Sequence, residues 1–356
     1  KFLEEVVEDE KIERIQEEDA SIIESGKSIR NQIMFDESPL QRGRWVLTSK
    51  VPLRNHSEAI IGMVGMTLDV TEQKQAEERA RIAQSALLEK NQQMEEELNV
   101  ARQLQERLLS EGFQTDQSFH MPGSHWNIQA HYLYRPSHHL AGDFFFVLPL
   151  GVDQLGVIIC DVMGHGVKAA LVTTLIRGLL LEIPGSLENP TTVLSFLNRK
   201  LFGLAHNTEF PRFVTAAYGV LDLKRGKFSV ANAGHPPPLW RHQNDAPQDI
   251  TEPIPLEQTG NALGLLESSH YKTTVLDLDS ASGFYFYTDG IVEMENQDGK
   301  AFGLRRLMTG LQNQDTLDPG EVSDSVLRAI AYFSEGRDYD DDLCLVSLSV
   351  TPRGEE

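Results

Sequence analysis

The amino-acid sequence predicts an α+β protein: antiparallel sheets covered by helices, preceded by a smaller mixed module and one long helix. Three observations carry that expectation. Strand-like runs follow one another through short turns, as "GDFFFVLPL" and "QLGVIICDV" do across "GVD". Helical runs come in blocks, so the βαβ rhythm of a parallel sheet is absent. No Gly or Pro falls between Thr71 and Glu111, which reads as one continuous helix.

Residues 1–72 begin with the acidic helical stretch "KFLEEVVEDEKIERIQEEDASIIESG", with Gly26 as its stop. Two strand-like runs follow, "GRWVLTSKVPL" and "AIIGMVGMTLDV", on either side of the turn-prone "RNHSE". This is too little for a complete mixed domain and reads as the back half of one. Residues 73–112 form the long helix, with Asp69 as candidate N-cap and Glu72 three residues on. Ala80, Leu87, Met94, Ala101 and Leu108 recur every seven residues, and Ala76, Ala83 and Leu104 fall on the companion row. Lys90 and Glu97 interrupt that row. Charge surrounds the seam on all sides, so a homodimeric coiled coil is expected.

Residues 120–352 carry the larger domain. "WNIQAHYLY" alternates as a strand. "HGVKAALVTTLIRGLLLEI" is apolar on most sides and is expected to be largely buried. "PTTVLSFLNRKLFGL" is a second helix. Strands are expected at "RFVTAAYGVLDL", "KFSVANAG", "PPLWR" and "GFYFYTDG", helices at "LRRLMTGLQ" and "PGEVSDSVLRAI", and a last strand at "DLCLVSLSV".

The 356 residues carry a net charge of −21 and only two cysteines, Cys160 and Cys344. The charge argues against nucleic acid, whose phosphates it repels, and favours cations or a basic partner. Two cysteines in apolar runs exclude a disulfide framework and point to buried thiols in a reducing cytoplasm. No apolar run approaches the roughly 20 residues of a membrane helix.

Several chemistries fail on spacing. "SGKS" lacks the glycine of a phosphate loop, since position 21 is Ser21. No H-E-x-x-H or G-x-S-x-G occurs. Neither cysteine has an arginine six residues on, the positions being Gly166 and Val350. Aspartates remain. Asp143 in "AGDFFF", Asp161 ending "VIICD", Asp289 ending "FYFYTD" and Asp341 before "DLCLVSL" each sit where an apolar strand meets a turn. One such residue is ordinarily a turn former satisfying its own backbone. Four at equivalent borders point instead to oxygen ligation of a hard divalent cation, magnesium or manganese rather than zinc. Gly164, Gly166 and Gly290 would let backbone approach the ions.

Six segments, "AGDFFF", "CDVMGHGVKAAL", "RFVTAAYGVLDL", "ANAGHPPPLW", "FYTDGIVEMEN" and "YDDDLCLVSL", occur in an order that resembles the SpoIIE-type branch of the PPM metal-dependent serine/threonine phosphatases. The resemblance implies an αββα sandwich with a binuclear Mn2+ or Mg2+ site at one edge. It implies that Asp161 bridges the metals, that the Val162 carbonyl ligates one, and that Asp143, Asp289 and Asp341 supply the other carboxylates. It implies in-line hydrolysis of phosphoserine or phosphothreonine on an anti-anti-sigma-like regulatory protein, by a water the two cations activate. Asp342 is the neighbour of Asp341 in the outer shell, or exchanges with it by a one-residue slip. Asp338 and Asp340 are expected to be solvated near Arg337. His165 is a candidate general acid or a structural turn histidine, since "DVMGHG" is spaced differently from eukaryotic relatives. His235 is expected to be architectural, and His138 and His139 to face substrate or solvent. The N-terminal piece resembles the latter half of a PAS sensor, which would act on the site through the long helix. The competing expectation is a catalytically silent scaffold with the same fold. A two-metal cyclase or phosphodiesterase lacks a nucleotide-binding signature.

Overall fold

The computed structural model describes residues 9–36, 43–110, 117–119, 126–138, 140–151, 153–164, 166–183, 187–205, 213–242, 249–278 and 280–352. His139 and His165 lie outside the described residues. The chain divides into two compact units, Lys1–Glu95 and Glu96–Glu356.

In the first unit α1 (Asp9–Ser25) ends where Gly26 N donates to Ile22 O (2.9 Å). Strands β1 (Ile29–Asp36), β2 (Arg44–Arg54) and β3 (Ile60–Asp69) form an antiparallel sheet in that order. The sequence reading missed β1, whose mixed "IRNQIMFD" shows little alternation. Lys50 ties the sheet to α1 through Asp19 (2.7 Å) and Glu18 (3.2 Å). Helix α2 (Thr71–Ser110) is unbroken over 40 residues and runs across the division between the units. Asp69 accepts from Thr71 N (3.0 Å) at its start. Leu87, Met94 and Leu104 of the sevenfold rows are all more than half exposed in the single chain.

The second unit is a four-layer sandwich. Its strands are β4 (Gln117–Phe119), β5 (Trp126–Arg135), β6 (Asp143–Pro149), β7 (Gln154–Val162), β8 (Val214–Asp222), β9 (Lys227–Ala233), β10 (Leu239–His242), β11 (Ile250–Pro253), β12 (Thr259–Gly260), β13 (Thr274–Asp277), β14 (Ser282–Tyr287) and β15 (Leu343–Pro352). Its helices are α3 (Val167–Leu181), α4 (Pro190–Ala205), α5 (Asp289–Glu293), α6 (Leu304–Gln312) and α7 (Pro319–Ser334). One sheet runs β12-β9-β8-β7-β6, with β13 also on β9, and carries Asp161. The other runs β11-β10-β14-β15-β5-β4 and ends at Asp289 and Asp341. Helices α3 and α4 cover the Asp161 sheet, and α6 and α7 cover the other. Among the named strands, pairing is antiparallel except for the short β12 on β9.

Phe145, Phe228, Phe284 and Phe286 fill the core between the sheets, while Ile158 and Tyr218 pack on the opposite face of their sheet, under α3 and α4; all are fully buried. Leu133, Leu307, Val322, Ile330 and Leu345 form a second core under α6 and α7. Cys160 and Cys344 are free and buried, and burial pushes both thiols well up. Helix α3 departs from expectation. Val167, Leu171 and Leu181 stay exposed, Leu171 at 62%, because one sheet covers only one side of an outer-layer helix.

Candidate metal centre

Asp143 opens β6 and Asp161 nearly closes β7, and the register of this hairpin sets them directly opposite each other. Side chains so paired share a face with Cβ atoms roughly 5 Å apart, and like charges there repel. Asp143 is buried, and burial followed by the Asp161 charge pushes its carboxyl well above the usual range. Asp161 is pushed up to about 7 by burial, then by Asp289, Asp341, Asp342 and Glu293. Asp289, first residue of α5, is raised by burial and by Glu293 one turn on. Asp341 is raised by burial and by Asp289 and Asp342, while His138 acts oppositely. The four sequence-designated aspartates therefore share one electrostatic field at one edge of the sandwich.

Asp342 has a different job from its neighbour. It is buried, and its oxygens accept from Ser137 N (2.8 Å), Ser137 Oγ (3.0 Å) and Gly142 N (2.8 Å). The carboxylate is saturated by protein donors and clamps the β5–β6 connection to the start of β15. Asp341 Oδ1 accepts from the Asp342 amide (2.8 Å), and its side chain stays at the surface. Asp340 stays exposed and pairs with Arg337 (2.8 Å). Asp338 is exposed.

Close chain approaches build the edge. A Cβ on Gly142 would stand 2.8 Å from Gly164 O and 3.0 Å from Val162 O, so only glycine fits beside those carbonyls. Gly290 has a reason other than ion access: a side chain there would collide with Asp342 O. Thr288 Oγ1 donates to Asp143 Oδ2 (2.6 Å) and accepts from Cys344 N (3.2 Å). Beside Asp341, a hollow of about 270 Å³ is lined by Gly290, Glu293, Met294, Glu295, Asp340 and Asp341.

The donors fit a hard divalent cation. They are all oxygen, they repel one another in partial burial, and a cation relieves that repulsion. Among the described residues, no three His, Cys, Asp or Glu side chains close into a preformed cage.

Gln105 was missed by sequence reasoning. Within the second unit it reaches from α2 into the body, where Nε2 donates to Ala141 O (3.0 Å) and Thr173 Oγ1 (3.2 Å) and Oε1 accepts from Ala141 N (3.3 Å). Nothing marks it among the many polar residues of α2. Thr288 carried a weak signal, a hydroxyl just before the candidate ligand Asp289.

A PP2C-type αββα fold with an acidic edge is thus the class that these layers define. The family model described as stage II sporulation protein E (SpoIIE) matches residues 151–351, more than half of the chain. The chain belongs to the SpoIIE family. A PAS-fold family model matches residues 1–75. The phosphoserine phosphatase RsbP of Bacillus subtilis is 28% identical over 255 residues, covering 71% of this chain and 58% of RsbP. The chain thus spans little more than half of that relative. The SiaA PP2C domain of Pseudomonas aeruginosa superposes with a TM-score of 0.59 at 21% identity, covering 72% of this chain and 97% of that one. The SpoIIE phosphatase domain with a fragment of its regulatory domain, from Bacillus subtilis, gives 0.53 at 16% identity, covering 97% and 90%. These two likenesses concern the fold. No described helix is long and apolar enough to cross a membrane.

Proposed function

We propose that this chain is a metal-dependent phosphatase that hydrolyses phosphoserine or phosphothreonine on an anti-anti-sigma-like regulatory protein. The observation that carries the reading is the direct pairing of Asp143 with Asp161, in a field shared with Asp289 and Asp341. Concentrated, partly buried like charge of this kind is typical of functional sites and is relieved by cations. Asp143, Asp161, the Val162 carbonyl, Asp289 and Asp341 would hold two ions, Mn2+ or Mg2+. When bound, such a pair supplies an activated water and neutralises phosphate oxygens.

The chain's own residues prepare that site. Thr288 fixes the rotamer of Asp143, and Asp342 fixes the Gly142–Asp143 backbone. Asp341, left with a surface carboxylate, takes the ligand role. Asp342 does not, since its lone pairs are already used. His165 would protonate the leaving seryl oxygen. The net charge of −21 makes local neutralisation a requirement for any dianionic phosphoserine to approach. Similarity to the phosphoserine phosphatase RsbP supports the phosphoserine substrate class.

Control would run from the PAS-like part through α2, paired with a second copy along Leu87, Met94 and Leu104. The Gln105 bonds to Ala141, two residues before Asp143, support a mechanical route.

The test is Mn2+-dependent phosphate release from a phosphoseryl protein, with Asp161→Asn and Asp289→Asn alongside. Wild-type release abolished by a chelator and by both substitutions is expected; equal rates in all three proteins would overturn the enzymatic reading.

A further inference from the structure

His235 follows β9 and is only 3% exposed. Its backbone is locked by one side chain: His235 N donates to Asn232 Oδ1 (3.0 Å), and Asn232 Nδ2 donates to His235 O (2.9 Å). Its ring is held at both nitrogens. Nε2 lies 3.1 Å from Tyr287 O, and Nδ1 lies 2.8 Å from Thr215 Oγ1. A carbonyl can only accept, so Nε2 carries the proton and donates. Nδ1 is then the acceptor for the Thr215 hydroxyl. Burial holds the ring down to about 3, so it stays neutral at ordinary pH.

Each end of this bridge is one step from a designated carboxylate. Thr215 on β8 is the cross-strand partner of Asp161 on β7. Tyr287 ends β14, two residues before Asp289. β8 and β9 belong to one sheet and β14 to the other, so the bond from Nε2 to Tyr287 crosses the sandwich. The path Asp161–Thr215–His235–Tyr287–Asp289 is made of backbone and hydrogen bonds alone. The surrounding interface is apolar, with Phe228, Phe284 and Phe286 between the sheets. Such packing is non-directional, whereas a hydrogen bond has a narrow optimum in distance and angle. Metal ligands must sit within about 0.2 Å of their ideal distances.

We propose that His235 is a positioning residue, a neutral strut whose Nε2–H sets the spacing between the Asp161 and Asp289 strand ends and thereby the affinity for divalent cations. This rests on the metal-centre reading above. It assigns to His235 a role distinct from substrate contact or proton transfer.

Asn and Gln separate the two arms, because Asn reproduces the acceptor at Nδ1 and Gln reproduces the donor at Nε2. Equilibrium Mn2+ binding is read from the EPR signal of free Mn2+, and thermal melting is recorded in chelator. His235→Asn is expected to weaken Mn2+ binding about tenfold or more, the range found when partners behind metal ligands are lost. His235→Gln is expected to recover most of that loss. Thr215→Val keeps the side-chain volume, tests the other arm if His235→Asn fails to fold, and should weaken binding in the same direction. Wild-type protein that binds no Mn2+ would overturn the metal-centre reading itself. Wild-type binding retained unchanged in His235→Asn and Thr215→Val, or equal loss in the Asn and Gln variants, would overturn the strut alone.

Discussion

Asp143 and Asp161 face each other directly across the β6–β7 hairpin, two carboxylates on one face of one sheet. Folding brings them together against their repulsion, so the metal-free protein should lose stability as they ionise. The sign follows from the raised folded-state pKa values. From the ordinary aspartate range up to about 7, where Asp161 titrates, the folded state binds more protons than the unfolded state. Stability therefore falls with rising pH through this window. For one group the slope reaches about 1.4 kcal/mol per pH unit. Thermal melts in chelator from pH 4.5 to 8 should show the decline, and Asp161→Asn should make it shallower. A wild-type curve as flat as that of the variant would contradict the coupling.

Thr288 stabilises the charged form of Asp143 and pairs the Cys344 amide. Thr288→Val keeps the shape and removes both bonds. A buried amide left unpaired costs about 1–3 kcal/mol. The melting point should drop, and the Mn2+ concentration for half-maximal activity should rise about tenfold. A metal titration superimposable on wild type would remove Thr288 from the support of the site.

Asp341 and Asp342 should separate cleanly. Asp342→Asn turns an amide donor toward Ser137 and Gly142 donors, so it should melt earlier in chelator, by about 1–3 kcal/mol. Asp341→Asn should leave the chelated protein no less stable but weaken Mn2+ binding at least about tenfold, as loss of a direct carboxylate ligand should at minimum match the loss of an outer partner. The reverse pattern would exchange their roles.

Gln105→Ala strips partners from both the N–H and C=O of Ala141. Turnover should fall several-fold, and stability should drop by about 1–3 kcal/mol. Inserting four residues near Met94 turns one end of α2 by about 40° and should also change turnover. Unchanged rates in both proteins would argue against control through this helix.

Leu87→Asp with Met94→Asp places charge on the sevenfold seam. Sedimentation should then show loss of dimer in a protein that still melts cooperatively. A dimer that persists would place the homodimer contact elsewhere.

Local pattern made much of this legible. Alternation located β5, the GVD turn located the β6–β7 hairpin, and the uninterrupted run after Thr71 located α2, because each is set by near neighbours in the chain. The four aspartates were recognisable because each combines an apolar strand with a turn. Short strands such as β4, β11, β12 and β13 were not, since pairing partners rather than their own residues define them. The division of labour between Asp341 and Asp342 was also hidden. Adjacent residues of one type differ only in what folds against them, here Ser137 and Gly142 from some 200 residues earlier. The same holds for His235, which the sequence marks as architectural without showing what its ring would hold. By itself, the sequence determined the layers, the long helix and the acidic candidates. Only the tertiary structure decided which carboxylates meet and which buried polar groups hold them, because hydrogen bonds across a sandwich join residues that no local pattern connects.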